Sequence, residues 1–390
     1  MNPVVRPRAR VPYIIALALV LTLLAAGAAA LIASGPAGAT RHAAASPETI
    51  LTLRTDGDHD VMWLVSKEGT ATAAGSLPGT AEAVAASPDG TYVAYLPFAG
   101  KPAIWVSHTW DQVQTIDLQP AGIKTVTDLT WASETQLLVS GTTKAGNQAG
   151  FTDKLYTVDV TTGAVASFRG LSGTEPSVST ATGKLVYVKY TKLKPNPKYK
   201  KIAHYRESLM LTTLTGTGAG TELDSDEYYQ TEDYHAFAAP QLAPAGKWIA
   251  FGTTGSDVSV NYHVYFLGDT YWSQWFETWM STPLALAWAP SSPLLALGGE
   301  VVGPDAPAAM YLCDPDGGAM GRTARDLFDK ANIEWVMDMD WSEGVDIVVD
   351  GFVKQDDSSA AEASRVLLLD SSDLSKLTDL GEGRLSVWVR

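Results

Sequence analysis

Residues 84–97 read VAASPDGTYVAYLP, which is a short apolar run, a Ser-Pro-Asp-Gly turn and a second β-rich run. Proline presets φ in such a turn and glycine supplies positive φ, so the stretch predicts a tight hairpin. The same pattern recurs five times, with starts about 45 to 60 residues apart. The recurrences are LTWASETQLLVSGT (129–142), VSTATGKLVYVKY (178–190), PQLAPAGKWIAFGTT (240–254), LAWAPSSPLLALGG (286–299) and MDWSEGVDIVVDG (339–351).

Each hairpin is followed by a third strand-like run, such as AIWVS (103–107), and in most repeats by a fourth after a short polar turn. Four short strands at this spacing predict the blade of a β-propeller. Residues 49–76 supply three more such runs, and the run LSVWVR (385–390) supplies one, whose Trp388 is in register with Trp131, Trp288 and Trp341. Pairing that C-terminal run with the N-terminal three gives a seventh blade and closes the ring. The sequence therefore predicts an all-β, seven-bladed β-propeller over residues 49–390.

The large apolar side chains of the repeats are expected to form the core. We expect the four tryptophans to pack between neighbouring blades rather than to bind a ligand. The single cysteine, Cys313, lies in the apolar run AAMYLCD (308–314), which predicts a buried thiol and excludes an intrachain disulfide.

Residues 1–48 precede the first predicted strand and have the composition of a targeting segment. Residues 1–10 form a basic tail, residues 11–34 an apolar run long enough to cross a bilayer core of about 30 Å, and residues 35–48 a linker. The arginines before the run predict that the N-terminus stays in the cytoplasm and that the propeller lies outside the cell membrane. We expect a transmembrane signal anchor. The alternative is a cleaved signal peptide, cut near Ala37-Gly38-Ala39, and a secreted product.

The charge of the chain excludes one class of partner. The formal net charge is −15, and residues 1–42 contain four arginines and no acidic residue, so the remainder is more acidic still. Nucleic-acid binding depends on lysine and arginine replacing condensed counterions. We therefore expect no nucleic-acid partner.

The run SPDGTYVAYLP followed by AIWVS resembles the repeat of TolB-like and WD-repeat-like propellers, a repeat also found in the N-terminal propeller of prolyl-oligopeptidase-type peptidases. The resemblance covers residues 49–390 in architecture and one or two blades in motif. It implies an extracytoplasmic scaffold that binds a protein or peptide at the cell envelope. The peptidases carry a separate hydrolase domain, which we do not expect here, because blades account for residues 49–390 and the Gly-x-Ser-x-Gly motif is absent.

No catalytic residue, metal ligand or cofactor site is predicted. The alternating Asp56, Asp58 and Asp60 lack the glycine that a calcium loop needs at its sixth position, and a solvated turn is expected instead. The main hypothesis is thus a non-catalytic, membrane-anchored binding scaffold. The alternative is a propeller enzyme, a hydrolase or lyase, whose acidic groups converge in the central channel from different blades. Carboxylates together with a histidine in the channel would favour the enzyme, and small or apolar groups would favour the scaffold.

The segment YTKLKPNPKYKKIAHYRES (190–208) is strongly basic within an acidic chain. The simplest interpretation is a solvated hairpin insertion neutralised by the acidic stretch 224–233. The functional hypothesis is a loop that docks an acidic partner. The candidate binding residues are Lys192, Lys194, Lys198, Lys200, Lys201 and Arg206.

Overall fold

The structure is a computed structural model that describes residues 48–110, 112–143, 153–194, 204–229, 235–254, 260–267, 273–301, 308–315, 319–323, 325–353 and 364–389. The predicted tail and anchor, and the linker up to residue 47, lie outside these ranges. Within them, no helix has both the length and the apolarity needed to span a membrane.

The described residues form seven four-stranded antiparallel blades, as the repeat predicted. In order from blade 1 to blade 7, here and in the next three sentences, the innermost strands are β27 (Arg384–Val389), β4 (Ala81–Ala86), β8 (Thr125–Trp131), β12 (Thr174–Ser179), β16 (His235–Leu242), the second half of β19 (Ser273–Trp288) and β23 (Ile333–Trp341). The second strands are β1 (Thr49–Asp56), β5 (Val93–Pro97), β9 (Gln136–Thr142), β13 (Lys184–Lys192), β17 (Trp248–Thr254), β20 (Leu295–Val301) and β24 (Asp346–Val353). The third strands are β2 (His59–Val65), β6 (Ala103–Thr109), β10 (Asp153–Asp159), β14 (His204–Thr213), β18 (Val260–Phe266), β21 (Ala308–Asp314) and β25 (Ser364–Asp370). The outermost strands are β3 (Ala71–Ser76), β7 (Gln112–Asp117), β11 (Val165–Ser172), β15 (Thr221–Tyr229), the first half of β19, β22 (Ala319–Thr323) and β26 (Leu377–Glu382).

The closure of blade 1 and the connection between blades 5 and 6 differ from the arrangement in the other blades. In blade 1 the C-terminal strand β27 pairs with β1, with Trp388 opposite Ile50 and Val389 opposite Thr49. Strand β19 runs without a break from the outer edge of blade 5 to the inner edge of blade 6, so these two blades share one seven-stranded sheet. A 3₁₀ turn (Gln119–Ala121) and the short helix α1 (Arg325–Lys330) lie between other blades.

The strand directions give the propeller two faces. Turns between first and second strands, such as Ser87–Tyr92 and Ser342–Asp346, open on one face, together with the turns between third and fourth strands; we call it the hairpin face. Connections between second and third strands, such as residues 98–102, open on the opposite face, which we call the loop face.

The four tryptophans lock neighbouring blades together. Each is at most 9% exposed, which confirms the predicted inter-blade packing. Three of them donate their indole N–H to a backbone carbonyl of the preceding blade, with Nε1–O distances of 3.0 to 3.2 Å: Trp131 to Ala85, Trp288 to Gln241 and Trp388 to Asp340. Each accepting residue has the same place in its own blade: it comes one position before the residue that aligns with these tryptophans.

Buried carboxylates bond neighbouring blades in the other direction. An innermost strand has a partner strand on one side only, so backbone groups on its other edge need partners from elsewhere. Carboxylates of the preceding blade accept hydrogen bonds from these N–H groups: Asp60 from Ala81, Glu175 from Ala239, Glu207 from Ala236 and Phe237, Asp340 from Trp388, and Asp350 from Ser386. We call these contacts the carboxylate clasps.

One clasp includes a buried ion pair. The Oδ2 atom of Asp60, whose residue is fully buried, lies 2.6 Å from Nη2 of Arg384. Arg384 also donates to the carbonyl of Ala81 in blade 2, at 2.8 Å. The first residue of β27 thus joins blade 1 to blade 2.

The buried ion pair predicts that substitution of Arg384 lowers the free energy of unfolding more than substitution of the exposed Arg365. Arg384→Met leaves the Asp60 carboxylate buried without its charge partner, and we expect a loss of about 3 to 5 kcal/mol in the free energy of unfolding. Arg365→Met is the matched control, because Arg365 lies 2.6 Å from Asp379 with both side chains 43% exposed. Its expected loss is at most about 1 kcal/mol. Chemical denaturation measures both, and equal losses would contradict the role given to Asp60.

The clasp at Glu207 predicts how stability depends on pH. Burial, and next the charge of Glu175, raises the pKa of Glu207 from 4.5 to about 8. A carboxyl whose pKa is higher in the folded state stabilises the fold fully below its unfolded pKa and loses that contribution as the pH rises. We expect the free energy of unfolding to fall between about pH 5 and pH 8, with Glu207 contributing at most about 1.4 kcal/mol per pH unit.

Two variants separate this effect from the general titration of the protein. Glu207→Gln should flatten the pH slope of the unfolding free energy, because glutamine carries no titrating proton. Glu222→Gln, on the exposed outermost strand β15 of the same blade, should leave the slope unchanged. A slope that is as steep in Glu207→Gln as in the unsubstituted protein would refute the assignment.

Candidate functional site

Each innermost strand carries a bulge that redirects side chains at the channel. The pairing with the second strand shifts register a few residues before the tryptophan position in all seven blades. Such shifts leave a residue unpaired and change where its neighbours point. Three non-glycine residues in this region have positive φ, and each lies three residues before the tryptophan position: Glu175 (51°), Ala239 (49°) and Leu385 (51°).

Three acidic side chains near these bulges take no part in the carboxylate clasps. Asp128 and Asp338 accept the N–H of the next residue in their own strands, Leu129 at 2.7 Å and Met339 at 2.8 Å. For Glu82, the extra residue of the bulge in β4, no hydrogen bond occurs within the described residues. The clasps account for the other buried carboxylates of the innermost strands, so these three are the candidates for contact with a ligand.

Glu82, Asp128 and Glu175 lie on the innermost strands of three successive blades, and the charges of Glu175 and Glu82 act on Asp128; we call these three residues the carboxyl sector. Burial raises the pKa of Glu82 and of Glu175 to about 7. Burial, and next the charges of Glu175 and Glu82, raises the pKa of Asp128 well above 3.8. A carboxyl with a pKa near 7, such as Glu82 or Glu175, is partly protonated at neutral pH and is able to donate as well as accept a hydrogen bond.

The remainder of the channel wall at this level is mostly apolar. The residues that correspond to Asp128 in blades 5, 6 and 1 are Ala239, Ala285 and Leu385. The described residues contain no cluster of three or more His, Cys, Asp or Glu side chains able to hold a metal ion. At this level the wall thus carries the carboxyl sector in blades 2, 3 and 4 and Asp338 in blade 7, with apolar residues in blades 5, 6 and 1.

The buried His263 does not belong to this channel. It lies on the third strand β18, with Nε2 2.9 Å from Oγ1 of Thr253, and burial lowers its pKa to about 4. A histidine of this kind stays neutral and packs against Phe251, whose ring stacks on it at 5.0 Å. The buried Cys313 is also unreactive, because burial raises its pKa to about 12, and its predicted burial is confirmed.

The turn at residues 55–60 differs in part from the expectation of a solvated turn. Asp58 is fully exposed, as expected. Asp60 is buried and bonded to Thr55, Ala81 and Arg384. The expectation was wrong for Asp60, because its partners come from distant parts of the sequence.

The basic segment begins on a projecting ribbon at the loop face of blade 4. Strands β13 and β14 pair as far as Lys192 and Tyr205, after which Leu193 N–H donates to the carbonyl of His204 at 2.8 Å. The outermost strand β15 continues the ribbon by pairing with β14 up to Tyr229. Lys192 and Lys194 are both exposed. Lys198, Lys200 and Lys201 lie outside the described residues.

Arg206 is neutralised on the ribbon. Its Nε and Nη2 atoms lie 3.0 and 2.6 Å from Oε1 of Glu227, which is its partner residue on β15. Successive residues of a strand point to opposite faces, so Arg206, which pairs with Thr191, points away from the face that carries Lys192. Of the predicted binding residues on described positions, Lys192 and Lys194 remain available to another molecule.

Sequence reasoning missed Asp128 and Asp338, although a signal was present. Asp128 and Asp338 each lie three residues before an aligned tryptophan, in TDLTW and MDMDW. Acidic residues at one position of two innermost strands point towards the channel once the repeats are aligned.

The sequence matches no protein-family profile and no curated protein. Among solved structures, a candidate 6-phosphogluconolactonase from Bacteroides uniformis has a TM-score of 0.50 and 11% identity, over 88% of this chain and 97% of that chain. The tricorn protease has a TM-score of 0.49 and 11% identity over 89% of this chain, which spans 36% of that protease. TolB from Acinetobacter baumannii has a TM-score of 0.39 and 12% identity, over 88% of this chain and 83% of that chain.

Identities this low relate folds and carry no activity from one protein to another. The seven four-stranded blades, with the likeness to the Bacteroides uniformis structure, confirm the propeller that the sequence predicted. At the level of the fold, the chain is a seven-bladed β-propeller.

Proposed function

We propose that this chain is an extracytoplasmic propeller, anchored in the cell membrane by residues 11–34, that binds an acidic protein or peptide and catalyses no reaction. The single observation that carries the proposal is the pair of exposed lysines, Lys192 and Lys194, on the loop-face ribbon of a chain with net charge −15. Residues 1–47 supply the predicted anchor and its linker.

The two lysines lack internal partners in the part of the chain that the structure describes. Neither forms an ion pair there, whereas Arg206 is bonded to Glu227. Exposed ammonium groups without a carboxylate neighbour are free to meet a carboxylate of another molecule, and such complementary charges raise association rates and fix orientation. The sequence continues the basic character with Lys198, Lys200 and Lys201.

A second candidate function is a hydrolase or lyase that acts in the central channel. The observation that favours it is the carboxyl sector, because carboxyls with a pKa near 7 suit general acid and base catalysis at neutral pH. The scaffold is preferred because Glu175 is held by its clasp to Ala239 and because apolar residues occupy the same level in blades 5, 6 and 1.

Charge reversal tests the binding proposal. Lys192→Glu combined with Lys194→Glu should weaken binding of a fluorescent deca-glutamate peptide about tenfold at low ionic strength, measured by fluorescence anisotropy. The difference should fade above about 0.5 M salt, where screening is nearly complete. Lys247→Glu combined with Lys376→Glu, exposed on the hairpin face, is the control with the same change in net charge. Equal weakening by both double variants, or none by either, would contradict the proposed surface.

A substrate panel distinguishes the second function from the first. On the scaffold proposal we expect no turnover of chromogenic esters, lactones or glycosides above the rate in buffer at pH 5, 6, 7 or 8. An activity that falls by about a hundredfold or more in Asp128→Asn, while the thermal midpoint is maintained, would establish the enzyme instead. Asp117→Asn, at the end of the exposed strand β7, is the matched control.

A further inference from the structure

The chain enters the propeller at a fixed point on the hairpin face. Strand β1 begins at Thr49, opposite Val389, and Glu48 lies immediately before it. The Glu48 carboxylate accepts the backbone N–H of Glu343 at 3.3 Å and an N–H of the Lys67 ammonium at 3.1 Å. Lys67 also donates to Asp346 of blade 7 at 2.6 Å. The entry point is therefore held by turns of blades 1 and 7.

The linker is short compared with the path around the propeller. Residues 35–47 span at most about 45 Å when fully extended. To reach the loop face from Glu48, the chain has to pass strands β2 and β3 at about 4.8 Å each and then run the length of a seven-residue strand, about 23 Å, which makes about 33 Å in all. Most of the extended length would be used in that path, and a stretched linker loses most of its conformational freedom.

We propose that the hairpin face lies towards the membrane and that the loop face, with Lys192 and Lys194, points away from it. This inference rests on the proposed anchoring by residues 11–34. It assigns the outward surface to a partner that arrives from the extracytoplasmic space, namely an acidic polypeptide. The turns of the hairpin face lie on the membrane side instead.

Within its described residues, the hairpin face has no excess of positive charge that would bind it to an anionic bilayer. In blades 7 and 1 its turns carry Glu48, Glu68, Glu343, Asp370 and Asp373 beside Lys67 and Lys376. An excess of carboxylates is not attracted to anionic lipid, so in this proposal the linker, and not contact with head groups, holds the face towards the bilayer. The propeller then presents its basic ribbon at the greatest distance from the membrane surface.

Two single-cysteine variants measure the orientation. Glu68→Cys lies on the hairpin face and Asp58→Cys on the loop face, at opposite ends of strand β2 in blade 1, and both residues are exposed. The native Cys313 is fully buried and gives little background. The full chain is reconstituted in phosphatidylcholine vesicles that contain a fluorescent acceptor lipid, and outward propellers are labelled with an impermeant maleimide donor. We expect energy transfer to the lipid to be at least about twofold more efficient from position 68 than from position 58, because the strand separates them by about 23 Å.

Each outcome has one meaning. Equal transfer, or stronger transfer from position 58, overturns the orientation and leaves the anchoring intact. Failure of the full chain to float with the vesicles overturns the anchoring, and with it this inference. As a second test, about twenty Gly and Ser residues inserted after Ser46 should bring the two efficiencies closer together, since a longer linker lets the domain turn. An undiminished difference would overturn the linker as its cause.

Discussion

The inner edge of each blade imposes the constraint on which the ring depends. An innermost strand has one β-neighbour, and the backbone groups of its free edge would cost free energy if they were buried without partners. In this propeller the neighbouring blades supply those partners in both directions. Indole N–H groups reach back to carbonyls of the preceding blade, and carboxylates reach forward to N–H groups of the following one. Trp388 takes part in both, since its indole donates to the carbonyl of Asp340 and its backbone N–H to the Asp340 carboxylate.

This exchange explains why an acidic chain buries so many carboxylates without a metal-binding cluster in its described residues. A carboxylate that accepts backbone N–H bonds is stabilised in its charged form, whereas burial and neighbouring carboxylates act in the opposite sense. At Glu207 burial prevails and the pKa rises to about 8. Strongly perturbed carboxyls mark catalytic sites only as a tendency, and here several of them have a structural explanation first. The carboxyl sector is of interest because Glu82 and Asp128 lack that explanation.

The sequence predicted the blades, the hairpin turns and the register of the four tryptophans, because each of these depends on residues close together along the chain. It could not predict the clasps, since Asp60 meets Arg384 and Asp340 meets Trp388 only after distant segments come together. The position of Glu175 could not be predicted either, because the extra residue of a bulge breaks the alternation of inward and outward side chains. The basic segment was recognised, but pairing between β14 and β15 divides it by placing Glu227 against Arg206.

Strand β19 has a consequence for how this ring is able to change over evolution. Repeat proteins gain and lose units by duplication and deletion, and a unit is separable where a loop joins it to the next. Between blades 5 and 6 the same hydrogen-bonded strand completes one blade and begins the other. A duplication that breaks there has to interrupt a strand and supply a new connection. These two blades therefore lack the loop at which one unit separates from the next elsewhere in the ring.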